Sequence, residues 1–246
     1  MLTATPFSSL AEVYDAIMQD VDYDDWAEFI LKTLHELGWQ GEHILDLGCG
    51  TANSSFPFLL RGYELVGLDA SKEMLRVAKA KLPGVTFVQG EFTSFSLQRR
   101  FDLVVSIFDS LNNLLTREAF LAAARRVYEH LAPGGFFMFD VNTTLGLREL
   151  WEGDRAEGWS QGIYYLWQHS FDESTGLAKV EAYCRTDSQE FTEVHFERPY
   201  DLPELHELLS QAGFHGIRCL SYPGGEEAGD DAERVWVVAK RQPPLR

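Results

Sequence analysis

Gly48-Cys49-Gly50-Thr51-Ala52 is the stretch of this chain whose residue types and spacing best suit chemistry on a bound ligand. It follows the apolar run Ile44-Leu45-Asp46-Leu47, which reads as a short buried strand. Glycine lacks a side chain, so backbone here can come close to a ligand. The next apolar run, Glu64 to Leu68, ends on Asp69, where a carboxylate can accept both hydroxyls of a ribose. Strand, glycine turn, helix, strand and terminal acid make one nucleotide-binding βαβ half. A dinucleotide fingerprint would need a third glycine where Asn53 stands, and Ala52 is the small residue instead. No basic residue follows to hold a pyrophosphate, which counts against NAD or FAD. Asp46 is suited to ordering the turn through backbone hydrogen bonds.

These groups need elements to hold them. Apolar spacings of three and four predict a helix over residues 7–19 (Phe7, Leu10, Val13, Tyr14, Ile17) and a second over 23–37, stopped by Gly38. Ser71 can cap a helix running to Leu82, and Thr116 one running to Leu131. Strands are expected at Val85–Val88, Phe101–Phe108 and Phe136–Val141, the last after a Pro133-Gly134-Gly135 stop. Strands alternating with helices indicate a parallel sheet covered on both faces. Between residues 145 and 199 the rhythm changes to three β-rich runs, Ile163–Phe171, Leu177–Arg185 and Phe191–Arg198. That pattern predicts an inserted antiparallel meander. Asp201 with Glu204 resembles a capping box for a helix ending at Gly213, and two strands, Phe214–Ser221 and Arg234–Lys240, close the chain.

The chain now resembles a known family, the class I S-adenosylmethionine-dependent methyltransferases. ILDLGCGTAN is similar to that family's first motif; Asp69, Gly90-Glu91-Phe92, FDLVVSIFDSLNNLL and LAPGGFFMFDV follow in the family's order, as do GFHGIRCL and RVWVVAK. The start, VYDAIMQDVDYDDW, resembles bacterial small-molecule methyltransferases that open with a Y-D-x-x-M helix. The resemblance implies S-adenosylmethionine as cofactor, bound by Gly48, Cys49, Gly50, Thr51, Ala52, Asp69, Ala70 and Met74, with Glu91 at the adenine amino group and Phe92 beside the ring. Glu91 fits an exposed loop acid equally well. Aromatic faces attract a sulfonium, which makes Tyr14, Trp26 and Phe108 candidates; Tyr14 also fits plain core packing. If the acceptor loses a proton, Asp109, His169, His195 and Tyr200 are the available groups, with Tyr14 at the methionyl end. A strand histidine suits a structural role as readily.

The implied fold class is α/β, a doubly wound, mostly parallel seven-stranded sheet. A cofactor-binding domain of residues 1–144 and 200–246 would carry an inserted β cap of residues 145–199. Trp167, His169, Tyr183, His195 and Arg198 of that cap would choose the substrate. The expected activity is methyl transfer to nitrogen or oxygen of a small-molecule acceptor; a non-catalytic S-adenosylmethionine-binding protein is the alternative. The net charge of −17 disfavours nucleic acid and anionic membrane surfaces as partners. Asp109-Ser110-Leu111-Asn112 is not the N/D-P-P-Y signature of nucleobase or glutamine methylation. The three cysteines have no metal-ligand spacing, so no metal is expected. The expected location is cytoplasmic, since no signal peptide or membrane span is visible; monomer and homodimer both fit.

Overall fold

The computed structural model describes residues 6–151 and 153–243. It opens with a 3-10 turn at Leu10–Glu12, a one-turn helix α1 (Tyr14–Ile17) and α2 (Tyr23–Glu36). Next come β1 (His43–Leu47), α3 (Phe56–Leu60), β2 (Glu64–Asp69), α4 (Lys72–Lys81), β3 (Thr86–Gln89) and β4 (Phe101–Ser106). After them run α5 (Arg117–His130), β5 (Leu131–Asn142) and α6 (Thr144–Trp151). Four strands form a separate antiparallel sheet: β6 (Arg155–Ser160), β7 (Ile163–Asp172), β8 (Leu177–Arg185) and β9 (Glu190–Glu197). Helix α7 (Leu202–Ala212), β10 (Phe214–Leu220) and β11 (Arg234–Arg241) complete the chain.

The main sheet has seven strands in the order β10-β11-β5-β4-β1-β2-β3, parallel except for β11, which runs antiparallel to both β5 and β10. The strand order reverses between β1 and β4, and in open α/β sheets ligands bind outside the strand C-terminal ends at such a point. Leu103, Val104 and Val105 of β4 are all buried, as a strand covered on both faces requires. Phe120, Val127, Leu205 and Leu209 from α5 and α7 pack on one face; Ile30, Leu34 and Phe58 from α2 and α3 pack on the other.

Local chemistry explains the helix ends. The Met74 amide donates to Ser71 Oγ at 3.1 Å and the Ala119 amide to Thr116 Oγ1 at 3.1 Å, so both expected caps form. Gly213, at φ 102°, ends α7 in the left-handed conformation that favours glycine.

Several expectations are corrected. No continuous helix spans residues 7–19: Phe7 sits at φ 58°, and the chain makes only the 3-10 turn and α1 there. Strand β5 begins at Leu131, directly after α5, and Pro133-Gly134-Gly135 falls where its register against β4 shifts. Asp201 does not cap α7 with its side chain; its carboxylate instead accepts from the Thr144 amide at 2.9 Å and the Thr144 hydroxyl at 2.8 Å. The insertion has one strand more than expected, β6, and is entered through α6. Buried Asn112 staples the insertion's two ends. Its Nδ2 donates to the carbonyls of Asn142 and Arg198, at 3.0 and 2.8 Å, and its Oδ1 accepts from the Asn142 amide at 3.0 Å.

Candidate functional site

A cavity of about 950 Å³ lies over the C-terminal ends of β1, β2 and β4 and extends to the inner face of the four-stranded sheet. Its floor is the glycine turn. Gly48 is held at φ 82°, and a Cβ there would stand 3.0 Å from both the Phe92 ring and the Ser110 side chain, so only glycine fits. The turn's amides are used within the protein. Gly48 and Cys49 donate to the Leu68 carbonyl (2.7 and 3.1 Å), Gly50 to Asp69 Oδ2 (2.9 Å) and Ala52 to the Cys49 carbonyl (2.8 Å). The glycines therefore contribute close approach rather than a row of free donors. Asp69 Oδ1 accepts from the Ser71 amide at 2.8 Å. Burial raises the Asp69 pKa, with the backbone hydrogen bonds from Ser71 and Gly50 opposing the shift.

Asp46 supports the turn differently from expectation. It is fully buried, and its Oδ2 accepts the Ser54 and Ser55 hydroxyls at 2.8 and 2.5 Å, not backbone amides. Desolvation pushes its pKa up to about 6, against those two hydrogen bonds. Asn53, at the missing-glycine position, accepts from Lys81 Nζ at 2.6 Å, and Lys81 also pairs with Asp15 at 2.5 Å. Thr51 Oγ1 donates to Asp15 at 2.6 Å, tying α1 to the turn.

The roof is the N-terminal strap and the four-stranded sheet. The period-2 alternation of β9 turns Glu193, His195 and Glu197 inward, while the partnering β8 offers only Ala178, Val180 and Ala182 opposite them. Small residues in the middle strand leave the concavity. Glu193 is fully buried and anchors the strap, accepting the amides of Phe7 (2.7 Å), Ser8 (3.1 Å) and Leu10 (2.9 Å). Burial would raise its pKa, but hydrogen bonds from His195 and from the Leu10 and Phe7 amides outweigh it, and the net shift is downward. The Phe7 ring lies 4.4 Å from the His195 ring, and Ser71 Oγ donates to the Phe7 carbonyl at 2.7 Å.

The side wall follows β4, where Phe108 and Asp109 both adopt left-handed backbone, at φ 63° and 48°. Such consecutive non-glycine residues are strained and need surrounding structure to hold them. Buried Asp140 does this by accepting the Phe108 amide at 2.8 Å and the Asp109 amide at 3.1 Å. Arg234 Nε donates to Asp140 Oδ2 at 2.6 Å, and its Nη2 lies 3.3 Å from Asp109 Oδ2. The guanidinium also stacks over Trp26 and Phe108, at 5.5 and 5.6 Å.

Of the expected site residues, Tyr14, Gly48, Cys49, Gly50, Thr51, Asp69, Ala70, Met74, Glu91, Phe92, Phe108, Asp109, His169 and His195 all line this one cavity. Trp26 and Ala52 do not reach its wall. Trp26 packs behind Phe108 against Trp236, and Ala52 is fully buried at φ 69°, beneath the turn. Tyr200 is buried away from the cavity, with its hydroxyl on the Leu114 carbonyl. In the insertion Trp167 lines the cavity, whereas Tyr183 faces Tyr164 on the other side of the sheet and Arg198 pairs with Glu204 at 2.8 Å. Burial raises the Tyr14 pKa well above its usual value, with nearby Tyr23 adding to the shift. Burial also lowers that of His169, against the pull of Asp154. Sequence reasoning missed Glu193, Glu197 and Arg234. The inward alternation of Glu193, His195 and Glu197 was the one signal available for the first two.

A family model described as a methyltransferase domain matches residues 44–135. The putative methyltransferase YqeM of Bacillus subtilis is 32% identical over 251 residues, covering 96% of this chain and 97% of its own. The dTDP-3-amino-3,4,6-trideoxy-alpha-D-glucopyranose N,N-dimethyltransferase of Streptomyces venezuelae is 35% identical over 127 residues, which is 51% of this chain and 54% of that protein. Among solved structures, an S-adenosylmethionine-dependent methyltransferase from Clostridium acetobutylicum superposes with a TM-score of 0.83 at 24% identity, covering 95% of this chain and 98% of that one. This chain belongs to the class I S-adenosylmethionine-dependent methyltransferase family. It is a methyltransferase whose cofactor is S-adenosylmethionine. The cavity fits that cofactor: the Asp69 oxygens keep lone pairs for a diol beyond the amide each already accepts, and electron-rich faces of Tyr14 and Phe108 can meet a sulfonium.

Proposed function

We propose that this enzyme methylates nitrogen or oxygen of a small molecule held between the glycine turn and the four-stranded sheet. The observation that carries this reading is the continuity of one cavity from Asp69 to His195. Its volume of about 950 Å³ is near the upper end for small-molecule pockets, roughly 300–1,000 Å³. That is room for a donor and an acceptor end to end. Asp69 would hold the ribose, Glu91 and Phe92 the adenine, and Gly48 to Thr51, Ala70 and Met74 would enclose the rest. When bound, the cofactor supplies an electrophilic methyl group on positive sulfur. Tyr14 and Phe108 would stabilise that charge, and alignment of the acceptor lone pair would do most of the remaining work. Asp109, His169 and His195, which line the cavity, would take an acceptor proton.

On this reading residues 1–144 and 200–246 form the cofactor domain, and residues 145–199 a cap that shapes the acceptor end. The relative named as an amino-sugar N,N-dimethyltransferase supports a small polar acceptor. The test is transfer of labelled methyl from S-adenosylmethionine into size-fractionated cell extract. Label is expected in small metabolites; label confined to macromolecules would overturn the reading.

A further inference from the structure

Glu197, the last residue of β9, is 8% exposed and lines the acceptor end of the cavity, yet its Oε2 has no hydrogen-bond partner among the described residues. A buried carboxylate oxygen left without a donor is costly, so it points to a donor supplied from outside. The groups around it lean the same way. Asp109 at the end of the strained turn and Asp140 on β5 add negative charge. Arg234 on β11 is the facing cation, but its Nε donates to Asp140 and its Nη2 is ion-paired with Asp140 and Asp109. Asn142 gives its Nδ2 to Asp109 at 2.7 Å and also lies within hydrogen-bonding reach of the Glu197 carboxyl, which still leaves Oε2 without a donor. His195, two residues back on the same strand face, lies 3.4 Å from Glu193. Three carboxyl groups thus share one guanidinium, so this corner of the cavity wall carries more acid than base.

We infer that Glu197, together with Asp109, receives an amino group, so that the methyl acceptor is an amine. This rests on the small-molecule methylation proposed above. An ammonium or amine brings N–H donors for Glu197 Oε2 and, when charged, the positive charge this corner lacks. A neutral hydroxyl could offer one donor but no counter-charge, and an anionic acceptor would meet repulsion from Asp109 and Glu197. Burial, followed by the nearby charge of Asp109, raises the Glu197 pKa against the pull of Arg234, and a bound cation would shift the carboxyl back toward its ionised form.

The test is calorimetry on protein saturated with S-adenosylhomocysteine, using two amine–alcohol pairs of matched skeleton, cyclohexylamine with cyclohexanol and glucosamine with glucose. At least one amine is expected to bind tenfold or more tightly than its alcohol. That preference should fall to within twofold in Glu197→Gln, which keeps the side chain's size, while S-adenosylhomocysteine affinity stays unchanged. No amine preference, or a preference that survives Glu197→Gln, would overturn the inference. Failure of the wild-type protein to bind S-adenosylhomocysteine would instead strike the cofactor site, so the two failures are distinguishable.

Discussion

Asp69 holds two backbone amides, Gly50 and Ser71, and so shapes the turn it borders as well as facing the cavity. Replacing it by alanine should weaken S-adenosylmethionine binding at least tenfold, the scale of losing about 1.4 kcal/mol from charged hydrogen bonds. Calorimetry on Asp69→Ala checks this, and an unchanged affinity would refute a ribose role. Asp140 has no ligand in view, but its loss should be felt in the fold. It pairs with half-buried Arg234 and holds the left-handed turn at Phe108 and Asp109. Asp140→Ala leaves that guanidinium without its main partner and should cost about 1.5–3 kcal/mol in urea unfolding, the range for a lost charged hydrogen bond. A loss under about 1 kcal/mol would show the pair to be dispensable.

Among elements, the N-terminal strap departs most from its sequence pattern. Apolar spacing suggested one helix, but the amides of Phe7, Ser8 and Leu10 are drawn to a carboxylate more than 180 residues away, Glu193. Glu193→Ala should therefore raise hydrogen exchange at those amides and lower stability by about 1–3 kcal/mol, the range for a lost buried acceptor. Unchanged exchange there would mean the strap is held by its apolar contacts through Leu10 and Val13 alone. The four-stranded sheet makes a separate prediction. Exchanging residues 145–199 with those of a relative of different acceptor preference should move that preference with the insertion, measured as relative kcat/KM for the two acceptors. Preference that stays with the remaining chain would exclude the sheet as selector.

For the whole molecule, the clearest pH effect comes from Asp46. Its folded pKa of about 6 lies above the ordinary 3.8, so the native state holds its proton more tightly than the unfolded chain does. The resulting stability is fully present below about pH 4 and is lost as pH rises through about 6. A shift of roughly two units corresponds to about 3 kcal/mol. Relative to Asp46→Asn, which keeps an acceptor oxygen for Ser54 and Ser55, the wild type should lose stability of that order between about pH 4 and 7. A difference that stays flat across that range in chemical denaturation would contradict it. No helix among the described residues is long and apolar enough to cross a membrane.

The glycine turn, Asp69 and the Ser71 cap were legible in the sequence because each is a local device, set by residues a few positions apart or by one strand–helix–strand passage. The alternation of strands and helices was legible for a related reason, since period and turn chemistry repeat along the chain, and the seven-stranded order followed from the family resemblance. Helix α6, strand β6 and the broken first helix were not, since short elements are set more by packing than by propensity. Nor was the acid cluster around Asp109, although Asp109 itself was singled out. Asp109, Asp140, Glu197 and Arg234 come from the β4 turn, β5, β9 and β11, and only strand register and the Asn112 staple bring them together. Sequence by itself determined the family and its methyl donor. Which charged groups meet beside the cavity was decided by tertiary structure, because buried charges gain their meaning from neighbours distant in the chain.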